Sequence, residues 1–191
     1  MLKTMKARTQ NDLRPSPKSR HGTGAGGELA LIERIRTRAA SLRTPDVRLG
    51  IGDDCAILRP RPGEEIVVTT DLSLEGRHFR RNWHSAASIG HRALARGLSD
   101  IAAMGARPVA AFLSLALPRK VARDKAWLDG FLDGLLTLAE LHAVALAGGD
   151  TSEAPTDAII ADIMLLGAAP TGRALRRSRS EERRVGKECL E

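Results

Sequence analysis

Five aspartates give the first chemical hint, through their addresses rather than their number. Asp53 and Asp54 follow "GIG" just before a short apolar run, Asp71 closes the run "IVVTT", Asp100 stands five residues before Gly105, and Asp150 follows "LAGG". Each lies beside a glycine or at the expected end of an element, where a carboxylate can project into a shared cavity. Three or four carboxylates in one cleft are tolerable only when cations neutralise them. With no His or Cys beside them, an all-oxygen donor set favours Mg²⁺ or Mn²⁺ over Zn²⁺. Magnesium held through a few carboxylates usually serves substrate phosphates, which points to phosphoryl transfer. Asp100 is the most telling, because a carboxylate in the last turn of a helix meets the negative end of the helix dipole and costs about 0.3–1 kcal/mol. A compensating cation would remove that cost.

Blander readings stand beside this one. "GIGDD" is also a turn with Asx hydrogen bonds, and "GGDTS" a turn followed by a helix cap. His78, in "EGRHF", reads as a half-buried loop histidine, and Cys55 as a small core residue. Neither "LAGG" nor "GIG" runs on into the Lys-Ser/Thr of a P-loop.

The elements that must position these residues follow from periodicity. Leu29, Ile32 and Ile35 mark a short amphipathic helix over Glu28–Ala39. "CAIL" and "EIVVTT" read as strands separated by the Pro/Gly-rich turn "RPRPGE". Ser85 is a plausible N-cap for a helix reaching Met104, with Ile89, Ala93, Leu94, Leu98 and Ile101 on one face and Gly105 as its stop. "PVAAFLSLALP" reads as a strand buried on both faces, and a second long helix runs from about Arg123 to His142. "AVALAGG" and "DAIIADIMLLG" complete an α-β-β-α-β-α-β-β order. The fold class is α/β, a mixed sheet with helices on one face.

Composition narrows the partners. The net charge of +7 is unevenly placed: residues 1–26 hold six Lys/Arg and one Asp, residues 176–191 hold six Lys/Arg and four Glu, and the stretch between holds 18 of each sign. The folded part therefore has no net attraction for nucleic acid, and an aromatic content of 3% with no Tyr argues against base-stacking surfaces. No apolar run approaches the roughly 20 residues of a membrane span. Two cysteines without metal-ligand spacing suit a reducing cytoplasm. Residues 1–26 read as a disordered basic leader and residues 27–178 as the folded domain.

Four ordered motifs, "LGIGDDCAIL", "VVTTDLSLEGRHF", "ALARGLSDIAAMGARP" and "ALAGGDTS", resemble the thiamine-monophosphate kinases of the aminoimidazole-ribonucleotide-synthetase-like superfamily. Selenophosphate synthetases and hydrogenase-maturation proteins are the near alternatives, with a non-catalytic metal-binding dimerisation module behind them. The resemblance implies transfer of the γ-phosphate of ATP to thiamine monophosphate, giving thiamine diphosphate. It assigns Asp54, Thr69, Thr70, Asp71, Asp100 and Asp150 to several Mg²⁺ ions, Gly149, Asp150 and Arg177 to ATP, and His78 to the substrate. It also implies a homodimer formed through this domain, with no general base assigned. The family's Lys-Ala-Leu-Ala-Val-Asn-Leu-Ser-Asp run is Arg-Ala-Leu-Ala-Arg-Gly-Leu-Ser-Asp over residues 92–100, and Gly97 in place of Asn is expected to loosen Asp100. Only the first of the family's two domains is matched, so the chain alone is expected to be a largely inactive piece. From Arg179 the string "RSEERRVGKEC" resembles a translated sequencing adapter, so residues 179–191 are expected to be a non-native tail.

Overall fold

The computed structural model describes residues 25–177. The expected tail at residues 179–191, and the leader up to residue 24, lie outside the described residues. Helix α1 (Ala25–Ala39) begins inside the stretch read as leader. Two short strands follow, β1 (Val47–Leu49) and β2 (Ile57–Leu58), paired antiparallel. Next come β3 (Glu64–Leu74), α2 (Ala86–Ala103), β4 (Arg107–Leu117), α3 (Arg119–Arg123), α4 (Lys125–Leu141), β5 (Ala145–Glu153) and β6 (Ile160–Pro170). The four long strands form one mixed sheet in the order β3-β6-β4-β5. Only β4 and β5 run parallel, joined across α3 and α4, and every other neighbour is antiparallel.

Helices α2 and α4 cover one face of this sheet, as the sequence pattern implied. Ser85 caps α2 by accepting the Ser88 N–H at 3.2 Å, and Asp124 caps α4 by accepting the Trp127 N–H at 3.0 Å. The expected second long helix is α4, and the short α3 before it, which ends at Arg123, was not expected. The two long helices cross at backbone contact: a Cβ on Gly90 would lie 1.9 Å from the Phe131 carbonyl oxygen, and one on Gly134 1.9 Å from that of Ala87. Phe131, Leu94, Leu135, Ile163 and Leu165 fill the layer between helices and sheet. Each such side chain contributes about 1.5–3 kcal/mol of burial.

Beneath the sheet a smaller cluster, Val109, Ala110, Ala147 and Ala168, lies under Val47 and Leu58 of the β1–β2 pair. At that end Asp46, only 2% exposed, is held by Arg107 Nη1 at 2.8 Å, while Nη2 reaches Glu64 at 3.0 Å. Among the described residues, nothing covers the rest of the lower face. Ile66, Val68 and Leu72 of β3 and Met164 of β6 stand exposed on it. Strand β4 is accordingly buried on its helix face and only half-buried at Phe112, Ser114 and Ala116, against the expectation of burial on both faces.

Candidate functional site

Strand β3 runs to Leu74, so Asp71 lies inside the strand and not at its end. Alternation then decides which side chains meet. Thr69, Asp71 and Ser73 face α2, whereas Thr70 points to the bare lower face. Along α2 the residues Arg92, Arg96 and Asp100 recur every four positions and form one stripe over that row. The Thr69 hydroxyl donates to Asp100 Oδ2 at 2.6 Å. Arg96 donates through Nη2 to Asp71 Oδ1 at 2.6 Å, and through Nη1 to the Leu72 carbonyl at 3.0 Å and the Ser73 hydroxyl at 3.3 Å. Asp100 is exposed. Its local partner is a hydroxyl, and the nearby cation is engaged with Asp71.

Gly97 has a packing reason. A Cβ there would sit 3.2 Å from Leu165 Cβ, so the glycine lets α2 settle on β6 at the turn that carries Asp100. It brings the helix closer to the sheet.

His78 sits in the turn after β3. The Leu74 N–H donates to His78 Nδ1 at 2.9 Å, so in the neutral ring Nε2 carries the proton. Glu75 anchors this turn by accepting from Arg81 Nε at 2.7 Å and from the Ile159 N–H at 3.0 Å. Burial would raise the Glu75 pKa, but the Arg81 hydrogen bond and the Ile159 and Arg81 N–H groups together hold it below the usual carboxylate range. Ser73, His78, Phe79, Ile89, Arg92 and Arg96 line a cavity of about 60 Å³. Its polar lining consists of donor-rich side chains and no acid.

The remaining candidates lie at the other edge of the sheet. Asp150 is inside β5, in register with Ser114, and does not end the strand. Gly149 has φ +142°, and a Cβ on it would lie 1.8 Å from the Leu113 carbonyl oxygen, so only glycine fits. Thr151 Oγ1 is buried with no hydrogen-bond partner among the described residues. Gly50 packs against Ala147, which sets the loop bearing Asp53 and Asp54 on the β5 side. Asp54 is exposed, and its N–H donates to Asp53 Oδ1 at 2.9 Å. Cys55 is exposed, against the expectation of a core residue, and is free among the described residues.

These edges are far apart. Asp71 registers with Ile163, Ile163 with Leu113, and Leu113 with Gly149. Three inter-strand steps at about 4.8 Å put roughly 14 Å between them. Among the described residues, no three His, Cys, Asp or Glu side chains converge as a metal cage. The shared cavity expected from the sequence is therefore absent within one described chain. The donors still fit Mg²⁺ in kind, being oxygen throughout, and Mg²⁺ characteristically takes one or two carboxylates and leaves its other positions to phosphates and water.

Arg177 ends the described chain and is exposed. The Leu175 N–H donates to the Met104 carbonyl at 2.9 Å, which ties the preceding backbone to the C-cap of α2, near Asp100.

Across residues 52–169 the chain matches the family model described as AIR synthase related protein, N-terminal domain. The chain belongs to this AIR synthase related family. Thiamine-monophosphate kinase of Escherichia coli K12 is 42% identical over 154 residues, covering 81% of this chain and 45% of the relative. The thiamine-monophosphate kinase structure from Stenotrophomonas maltophilia K279a superposes with a TM-score of 0.65 at 44% identity, over 78% of this chain and 44% of that one. A structure described as AaThiL complexed with AMPPCP and TMP aligns at 26% identity with a TM-score of 0.53, over 80% and 45% of the two chains. The chain thus spans under half the length of the relatives it matches. As an AIR synthase related domain it has the mixed sheet with helices on one face that its sequence implied. Among the described residues, no helix is long and apolar enough to cross a membrane.

Sequence reasoning missed Arg96, Glu75 and Arg81. Arg96 had a signal, since it precedes Asp100 by one helical turn. Glu75 and Arg81 had none, because their pairing depends on how the turn after β3 closes.

Proposed function

We propose that the chain is the nucleotide- and metal-binding part of a thiamine-monophosphate kinase, which transfers the γ-phosphoryl group of ATP to the phosphate of thiamine monophosphate. The observation that carries this reading is the β3–α2 edge, where Thr69, Asp71 and Asp100 are already oriented by local bonds. The identity to kinases of that name supports it. Asp54, Thr69, Thr70, Asp71, Asp100 and Asp150 would hold Mg²⁺, which when bound neutralises phosphate charge. Gly149, lacking a side chain, lets phosphate approach the backbone of β5 beside Asp150. His78 offers its Nε2 proton to the substrate, and Arg177 its guanidinium to ATP. The acceptor phosphate oxygen is ionised near neutral pH, so no side chain need act as a strong base.

A homodimer completes this reading. The candidate residues occupy opposite sheet edges, and the lower face is bare and apolar. A second copy stacked on that face by a two-fold rotation would bring the β5 edge of one protomer toward the β3 edge of the other. The free thiol of Cys55 suits a reducing cytoplasm. Calorimetric titration of the 191-residue chain with AMPPCP tests the proposal. Binding is expected only with Mg²⁺ present, weakened at least about tenfold by Asp150→Asn, a loss of about 1.4 kcal/mol. AMPPCP binding that ignores both Mg²⁺ and this substitution would sink it.

A further inference from the structure

We infer that Arg96 is a positioning residue, a permanent cation fastened to Asp71 that orders the carboxylate, leaves it one free oxygen and lowers the demand of the β3 edge for divalent metal. The inference rests on the reading of Asp71 as a metal-holding residue. Its basis is a three-point grip. The guanidinium touches three successive residues of β3: Asp71 through the carboxylate, Leu72 through the carbonyl, and Ser73 through the hydroxyl. The ion pair is partly sheltered, with side-chain exposures of 35% for Arg96 and 18% for Asp71, unlike the rim pair Arg119–Glu153. A guanidinium keeps its charge at every accessible pH, and its charge-assisted bond to a carboxylate is among the stronger protein hydrogen bonds.

The two acids of this edge are thereby made unequal. Asp71 has its counter-charge within the chain, and among the described residues only its Oδ1 is engaged. Among the described residues, Asp100, one turn further along α2, receives only the neutral hydroxyl of Thr69. The charge left for a divalent ion to neutralise is mainly that of Asp100, with Asp71 restricted to ligation through Oδ2. Three of the five N–H donors of Arg96 are taken by protein acceptors, two on Nη1 and one on Nη2, so its first role is to hold a carboxylate.

Titration of the 191-residue chain with Mn²⁺, followed by the electron paramagnetic resonance signal of the free ion and paired with thermal melting, tests this. Removing the charge with Arg96→Met is expected to tighten Mn²⁺ binding about tenfold. Metal-free, that variant melts several degrees lower, and the deficit closes as Mg²⁺ replaces the lost cation. Arg96→Lys, which keeps the charge, stays within about twofold of the unaltered chain in Mn²⁺ affinity. If Arg96→Met does not fold, Arg96→Gln carries the same expectation, since it keeps a donor near Leu72 and Ser73. A folded neutral variant that binds Mn²⁺ no more tightly, or whose melting deficit persists in saturating Mg²⁺, overturns the inference. Asp71→Asn separates the two possible failures. If it leaves Mn²⁺ binding unchanged in both backgrounds, Asp71 holds no metal and the underlying reading fails. If it weakens binding in both while loss of the Arg96 charge does not strengthen it, only the role of Arg96 fails.

Discussion

At the residue scale, the chemistry was legible as a set of oxygen donors and illegible as an arrangement. Asp71 looked like a strand terminator because aspartate is poorly suited to strand interiors. Arg96 offsets that disadvantage, so β3 continues for three more residues with Asp71 and Ser73 turned inward. Asp150 was misplaced for a similar reason: "GG" reads as a turn, yet Gly149 takes its positive φ within an unbroken β5. Thr151, directly after it, carries a testable anomaly. Its hydroxyl is buried without a partner among the described residues, and such a group costs about 1–3 kcal/mol. Thr151→Val, nearly isosteric, is expected to leave urea-unfolding stability unchanged or raise it by up to about 1 kcal/mol. A loss larger than that would mean that the hydroxyl has a bonding partner in solution.

Among elements, the long amphipathic helices were readable because their caps and stripes are local. Ser85 and Gly105 bounded α2 within the chain itself. Strand β1 was not readable, since three residues carry no period. The turn between β3 and α2 responds to pH. Glu75 holds it, and its folded-state pKa is depressed. The resulting stabilisation is fully present above the unfolded glutamate value of about 4.3 and is lost as pH falls through the lower folded value. Hydrogen exchange at the Ile159 and Arg81 amides is therefore expected to stay slow from neutrality to about pH 5 and to accelerate, relative to core amides, below about pH 4. Glu75→Gln should show the faster exchange at neutral pH and lose most of the acid-dependent step. Because His78 rides on this turn, the same change should loosen the 60 Å³ cavity beside it.

For the molecule as a whole, the sequence order implied one mixed sheet under helices, and that sheet is present; strand neighbours could not be deduced because they depend on pairings distant in the chain. Nor could a sequence show that the candidate site is split between two edges. If a second copy joins them, a charge on the bare face will separate the copies without unfolding either. Val68, 57% exposed on that face, is the place to try it. Val68→Lys is expected to halve the mass seen by sedimentation while leaving the melting transition of the monomer cooperative. An unaltered chain that already sediments as a monomer would remove the dimer from the proposal. The sheet order has another consequence, for biosynthesis. Strand β3 has a single neighbour, β6, and its Glu64 pairs with Pro170, more than one hundred residues later. While the chain is being made, an eleven-residue strand carrying the apolar run Ile66–Val68 must wait for nearly the whole described domain to emerge before its edge is satisfied. Such delayed non-local pairing slows folding and exposes sticky edges. The domain is therefore expected to depend on slow translation or a holding chaperone over the interval between β3 and β6, and to shed soluble yield when synthesis is rushed.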